Sequence, residues 1–460
     1  MNPRFLNRRS ELARLDTAWS SVKAGTPQLV VVWGRRRVGK TFLLSHFVRG
    51  KRAVYYGATE QAEGVELQRM ADAVRTDLGE RTHDLAGGGF ASWEAVLRFL
   101  VALAAEEPLI AVLDEVPYLL RSARGFASIV QSVWDHLPAG TKLMLVLTGS
   151  AIGTMEGVLG SGGALRGRPT DLMRLDMLDP VSARAFLPRL QSAAFLEAYA
   201  ACGGYPMHLE SWDQDAGTSE NLTRLAATPG GILLEDAAGI LREELPDAGG
   251  YPRILAAIGR GRSRVSEIAS EADQRVEHPL GILVASGFVR RSVPVGAPSK
   301  ARPLYQLADP YLAFWFGVLY SDLPQIEAGQ GRAVLRRRAE QWQRHLGLVF
   351  EETARGHAAR LVDRGDLPEA VVGRWWASSG EPCEVDVLGL RGARTALMGE
   401  ARWQAKPLGL RELRELSLKA DRVPRPISEP LYALWGRGGV DAEVRSAGAR
   451  GFDVDAMLEP

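Results

Sequence analysis

Leu29-Val30-Val31-Val32-Trp33-Gly34-Arg35-Arg36-Arg37-Val38-Gly39-Lys40-Thr41-Phe42 is the stretch that decides the fold. Residues 29–33 have the length and β-branched content of a strand buried on both faces. The run breaks at Gly34, and a helix starting near Gly39 carries Phe42, Leu43, Leu44 and Phe47 at helical spacing. Between them stands Gly34-x4-Gly39-Lys40-Thr41, the pattern of a phosphate-binding loop. The two glycines let the backbone curl so that the amides of Arg35, Arg36, Arg37, Val38 and the residues up to Phe42 point inward at an anion, and the helix N-terminus adds its dipole. Lys40 reaches the β- and γ-phosphates and Thr41 offers a hydroxyl to Mg²⁺. A glycine turn that merely contains a lysine is the alternative; strand, pattern and helix in the required order favour the nucleotide site. ATP and Mg²⁺ are therefore the expected ligands.

Downstream, residues 53–56 read as a second short strand, followed by helical stretches near 64–78 and 92–105 separated by Gly87-Gly88-Gly89. Residues 109–113 form another buried apolar strand, ending in Asp114-Glu115. In a phosphate-loop enzyme the first acid holds Mg²⁺ and the next polarises the attacking water. Residues 142–147 are a further strand, and Thr148-Gly149-Ser150 at its tip places a hydroxyl that can sense a γ-phosphate or cap the next helix. Arg168, in a Gly-rich loop before the strand 172–175, can reach phosphate in the same or a neighbouring subunit or stand solvated. Strands alternating with helices imply a parallel sheet covered on both faces, with ligand at the carboxyl ends of the strands.

Composition sets the outer limits. The 460 residues suggest about three domains. A hydrophobic fraction of 46% supplies ample core, and a formal net charge of +1 argues against a bulk polyanion binder while allowing a local basic face. No run approaches the roughly 18 apolar residues of a membrane helix. Residues 1–10 lack the apolar core of a secretory leader. Cys202 and Cys383 alone build neither a thiolate metal site nor a disulfide framework, so a cytoplasmic location is expected.

Residues 180–243 turn helical around Cys202-Gly203-Gly204-Tyr205-Pro206. From 251 three short helices (254–258, 265–269, 279–285) and two strand-like pieces (287–291, 304–307) follow the order of a winged helix-turn-helix. Residues 251–310 hold nine Arg and Lys against five acids, which suits DNA phosphates, although such modules also serve as protein–protein domains. The aromatic segment 309–320 reads as a packed interdomain helix. Residues 340–460 read as a second α/β unit: a helix over 340–361, strands 373–376, 384–389 and 395–403, a helix near 410–420, a strand 431–435, then a final helix and strand. Asp386 and Glu400 fall on neighbouring strands, close enough to share a divalent ion, with Glu352 from the helix as a third oxygen ligand.

These markers resemble the archaeal-type ATPases of the STAND/AAA-like group, in which a phosphate-loop core precedes a winged helix and a domain similar to PD-(D/E)xK nucleases. They are Phe5-x2-Arg8-x2-Glu11-Leu12, Gly34-x4-Gly39-Lys40-Thr41, Leu113-Asp114-Glu115, Thr148-Gly149-Ser150, Gly167-Arg168, Gly203-Gly204-Tyr205-Pro206, Phe350-Glu351-Glu352, Glu384-Val385-Asp386 and Gly399-Glu400-Ala401-Arg402-Trp403. The resemblance implies that Arg8 lies near the nucleotide base and that Ser150 senses the γ-phosphate. It also implies that the turn ending in Pro206 lies near the nucleotide and couples it to the helical region. One departure stands out: the nuclease pattern wants lysine where this chain has Arg402, and a guanidinium with a pKa above about 12 cannot accept a proton.

The expected architecture is thus α/β: ATPase core 1–178, helical subdomain 179–245, winged helix 246–312, helical linker 313–339 and nuclease-like domain 340–460. The expected function is a Mg²⁺-dependent ATPase switch coupled to a module that senses or acts on nucleic acid. An ATP-gated DNA nuclease and a non-hydrolysing ATP-bound DNA regulator are the alternatives. A second copy of the chain or another protein stays open as partner.

Overall fold

The computed structural model describes residues 7–79, 89–150, 152–245, 250–297, 301–377, 381–424 and 426–459. Phe5, Leu6, Gly87, Gly88 and Lys300 lie outside the described residues. The chain divides into two compact units, Met1–Met177 and Leu178–Pro460. Among the described residues no helix is long and apolar enough to cross a membrane.

The first unit is built on five parallel strands: β1 (Gln28–Trp33), β2 (Ala53–Gly57), β3 (Leu109–Asp114), β4 (Leu143–Gly149) and β5 (Asp171–Arg174). Their order in the sheet is β2-β3-β4-β1-β5. β3 and β4 are buried along their whole length, which is why their sequences read as unbroken apolar runs rather than alternating ones. Helix α1 (Arg9–Lys23) precedes β1, and α2 (Lys40–Phe47) follows it directly. Helices Glu63–Leu78, Trp93–Glu106 and Phe126–Asp135 pack on the sheet through Met70, Trp93, Leu100, Phe126 and Val130, all essentially inaccessible. Because every strand is parallel, the turns after β1, β3 and β4 open at the same edge of the sheet.

The second unit begins with helices, among them Ser192–Cys202, Pro206–Glu210 and Ile232–Glu244. The Gly-Gly-Tyr-Pro turn is fixed by close approach: a Cβ on Gly204 would stand 2.0 Å from the Leu178 carbonyl oxygen, and Gly203 has φ 61°. Tyr205 donates to the buried Asp309 at 2.5 Å, and the buried His208 meets Asp236 at 2.8 Å. Helices Tyr251–Gly259, Val265–Ala272 and Glu277–Ala285 then lead into an antiparallel pair, β6 (Val289–Ser292) and β7 (Leu304–Leu307). This is the three-helix and hairpin order expected. The aromatic segment is indeed packed: Tyr311 and Trp315 donate to the carbonyls of Leu233 and Leu234.

The C-terminal part carries the long helix Ala339–Asp363 against a five-stranded mixed sheet of order β12-β11-β10-β9-β8. Its strands are β8 (Val371–Trp376), β9 (Glu384–Arg391), β10 (Arg394–Arg402), β11 (Pro426–Gly436) and β12 (Arg450–Phe452). Just after β6, Val295 lies on this sheet, its amide donating to the Arg374 carbonyl at 2.9 Å and its side chain against Gly373.

Candidate functional site

The loop between β1 and α2 has the backbone that the sequence pattern demands. Gly39 has φ 96° and Arg37 φ 68°. A Cβ on Gly34 would stand 2.0 Å from the Leu175 carbonyl oxygen, so the first glycine is required by the passage of the chain just after β5. Lys40 is buried in the first turn of α2, with its ammonium donating to the carbonyls of Gly34 at 2.8 Å and Arg35 at 3.0 Å. Arg36 donates to the Tyr118 hydroxyl at 2.7 Å. Val38 offers its carbonyl to Arg8 at 3.1 Å, and Arg8 also reaches Glu11 and the Asp176 carbonyl. Arg8 therefore ties the start of the chain to the phosphate loop.

The acids at the end of β3 meet this loop. Asp114, almost wholly buried, accepts the Thr41 hydroxyl at 2.8 Å and the Tyr55 hydroxyl at 2.7 Å on Oδ2, and the Glu115 amide at 2.9 Å on Oδ1. Burial, then the charge of Asp114, push the Tyr55 phenol well above its ordinary pKa, so it remains a donor. Glu115 sits in the left-handed region (φ 56°, ψ 47°), a conformation that turns its side chain away from the strand direction and across to the tip of β4. There its Oε2 accepts the Ser150 hydroxyl at 2.8 Å and the Ser150 amide at 3.3 Å. Thr41, Asp114, Glu115 and Ser150, from three separate stretches, thus form one chain of contacts around the loop. Thr41 and Asp114 are hard oxygen donors side by side at a helix N-terminus, a donor set that fits Mg²⁺.

Arg168 stands elsewhere. Its guanidinium grips Asp135 at both oxygens, 2.8 and 2.7 Å, and donates to the carbonyls of Ala164 and Arg166. As folded, it is the clamp of its own loop. Pro206 opens a helix of the second unit.

In the C-terminal part Asp386 and Glu400 lie on adjacent antiparallel strands and line a cavity of about 500 Å³. Glu352 does not line it. Its carboxylate is taken by Arg290 of β6 and by Arg355 one turn on, and these two cations outweigh local desolvation to hold it down at about pKa 2. The acid of the long helix that does line the cavity is its neighbour Glu351, rotated by about 100° on the helix. Burial and the Asp386 charge raise Glu351 to about 8, and burial and the Glu400 charge raise Asp386 to about 6. Glu400 is itself occupied by Arg402 and by Lys419, whose ammonium is 2.8 Å away. Among the described residues, no group of three or more His, Cys, Asp or Glu stands together as a metal cage. The expected trio of Glu352, Asp386 and Glu400 is therefore corrected to an ion-paired pocket that includes Glu351 and Lys419. Nothing in the motif spacing marked Lys419.

The winged-helix region shows a similar pairing of charge. Arg260 and Arg262 both meet Glu271, Arg264 meets Glu267 and Arg290 meets Glu352. The third helix, Glu277–Ala285, holds no Lys or Arg.

Two stretches of the chain match known protein families. Residues 5–212 match a family described as an ATPase domain predominantly from Archaea, and residues 315–416 match one described as archaeal and bacterial proteins of unknown function. An uncharacterized protein of Methanocaldococcus jannaschii is 26% identical over 448 residues, 94% of this chain and 95% of that protein. An uncharacterized ATP-binding protein of the same organism is 44% identical over 48 residues, 10% of this chain and 76% of that protein. Among solved structures, a Walker-type ATPase of Pyrococcus abyssi aligns with a TM-score of 0.49 at 19% identity, covering 68% of this chain and 96% of that one. Residues 5–212 thus carry an ATPase domain of the kind found predominantly in Archaea, joined to a segment at 315–416 shared with archaeal and bacterial proteins of unknown function.

Proposed function

We propose that this protein is a Mg²⁺-dependent ATPase that works as a nucleotide-driven switch. The observation that carries the reading is the contact chain Thr41–Asp114–Glu115–Ser150 assembled at the phosphate loop. The amides of residues 35–42 face the phosphates, and Lys40 exchanges its two loop carbonyls for phosphate oxygens, which are stronger, charge-assisted partners. Thr41 and Asp114 would hold the metal, which would neutralise charge on the phosphates. Ser150 is shared: a phosphate oxygen that takes its hydroxyl releases Glu115 Oε2 to align water. The family resemblance implies a role for Arg8 near the base and for the Pro206 turn in passing nucleotide state on as movement.

Nucleic acid is the partner to test. The helix–hairpin order of 251–307 and its basic excess support it, and with Arg260, Arg262, Arg264 and Arg290 paired, phosphate contact would fall to residues such as Arg275 and Arg291. The measurement is phosphate release from Mg²⁺·ATP by the native chain and Lys40→Ala, with and without DNA. Lys40→Ala is expected to lose nucleotide affinity by about 10²-fold or more, since a charge-assisted contact to phosphate is removed. Unchanged binding in that variant would refute the site. ATP held with no release, alongside salt-sensitive DNA binding, would instead favour a non-hydrolysing regulator.

A second reading, ATP-gated cleavage of DNA, draws on Asp386, Glu400 and Lys419 sharing one cavity. It requires metal-dependent cleavage that disappears in Asp386→Ala.

A further inference from the structure

β2 carries two consecutive tyrosines, and the period-two alternation of a strand sends them to opposite faces. Tyr56 joins Val54 in the core, 2% and 0% exposed, and its hydroxyl bonds Glu66. Tyr55 points to the other face, the one bearing α2, where its hydroxyl reaches Asp114 Oδ2 at 2.7 Å. β2 and β3 are paired with Tyr55 opposite Val112 and Gly57 opposite Asp114. The length of the phenol covers this two-residue offset and brings the hydroxyl to the strand end, where the chemistry is. At its base, the Tyr55 amide donates to Asp77 at 2.8 Å, so the residue is held at both ends.

A carboxylate on a free side chain turns readily about its last torsion, because terminal sp³–sp² rotations are broad. Here Oδ1 is held by the Glu115 amide and Oδ2 by two hydroxyls, of which Thr41 is the one that a metal would engage. Tyr55 is the donor that remains when Thr41 turns to the metal. A phenol of ordinary pKa about 10 keeps its proton at neutral pH, so this donor is constant. We infer that Tyr55 is a positioning residue for the Mg²⁺·nucleotide site, fixing the rotation of the Asp114 carboxylate from the neighbouring strand. No phosphate-loop pattern asks for a residue at this place, and the inference rests on the ATPase reading given above.

The test uses the full chain and the variants Tyr55→Phe and Tyr56→Phe. ADP affinity is titrated with and without Mg²⁺, phosphate release is followed against Mg²⁺ concentration, and thermal melting is recorded. Tyr55→Phe keeps the ring and is expected to raise the Mg²⁺ half-saturation about tenfold, the lower end of what outer-shell partners of a metal ligand contribute. Metal-free ADP affinity stays the same and phosphate release recovers at high Mg²⁺. Tyr56→Phe leaves the Mg²⁺ requirement at the native value. An unchanged Mg²⁺ requirement in Tyr55→Phe overturns the inference, as does an equal shift in both variants, which would reduce the effect to strand packing. A native chain that binds ADP with no Mg²⁺ dependence, or not at all, overturns the ATPase reading itself and this inference with it.

Discussion

Replacing Glu115 by glutamine separates the chemical role of this side chain from its structural one. Glutamine has the same heavy-atom skeleton, and its Oε1 can accept the Ser150 hydroxyl and amide that Glu115 now accepts at 2.8 and 3.3 Å. The left-handed backbone at φ 56° carries a strain of about 1 kcal/mol or more in either residue, so it cancels in the comparison. The change is thus confined to one negative charge and its ability to draw a proton from water. Such a group contributes roughly 10²–10⁴-fold, or about 2.7–5.5 kcal/mol at 1.36 kcal/mol per decade. The contacts of Lys40, Thr41 and Asp114 are untouched, so ATP affinity should stay within about threefold, under 0.7 kcal/mol. Single-turnover phosphate release after mixing with Mg²⁺·ATP, beside an ATP titration, reads both quantities. Release within a few-fold of native would refute the role of Glu115, and a large loss of ATP affinity would show that the carboxylate acts in binding instead.

Two further outcomes follow from other parts of the chain. Gly34→Ala forces a Cβ to within 2.0 Å of the Leu175 carbonyl, so β5 or the loop must give way by about 1 Å, a displacement that can cost about 10²-fold in activity; ADP affinity and melting temperature should both fall, and wild-type values for both would show that the loop adapts freely. Glu351, raised to about 8, is protonated in the folded chain across the neutral range; being an acid raised above its unfolded value of 4.5, it makes stability complete at low pH and progressively lost as pH rises from about 4.5 to about 8. Asp386 acts in the same direction up to about 6. Glu351→Gln is permanently neutral and should flatten this fall, raising the urea midpoint at pH 9 while leaving it unchanged at pH 4; parallel pH profiles for the two proteins would contradict the assignment.

Much of this protein was determined by its sequence alone, because the relevant signals are local. Strands β3 and β4 are buried on both faces and so are uniformly apolar, and the glycines, lysine and threonine of the loop answer to backbone and phosphate geometry within eight residues. The winged-helix order and the second α/β unit are legible for the same reason, from periodicity and turn residues. What the tertiary structure decided is which side chains meet. Whether Glu351 or its neighbour enters the cavity depends on a rotation of about 100° fixed by the burial of Val349, Phe350, Ala354 and Ala358 on the same helix. That Arg168 clamps Asp135, that Lys419 reaches Glu400, and that Tyr55 holds Asp114 are contacts between residues 19–59 positions apart. Each element's pattern fixes only its own faces; the packing of one element on another chooses the partner.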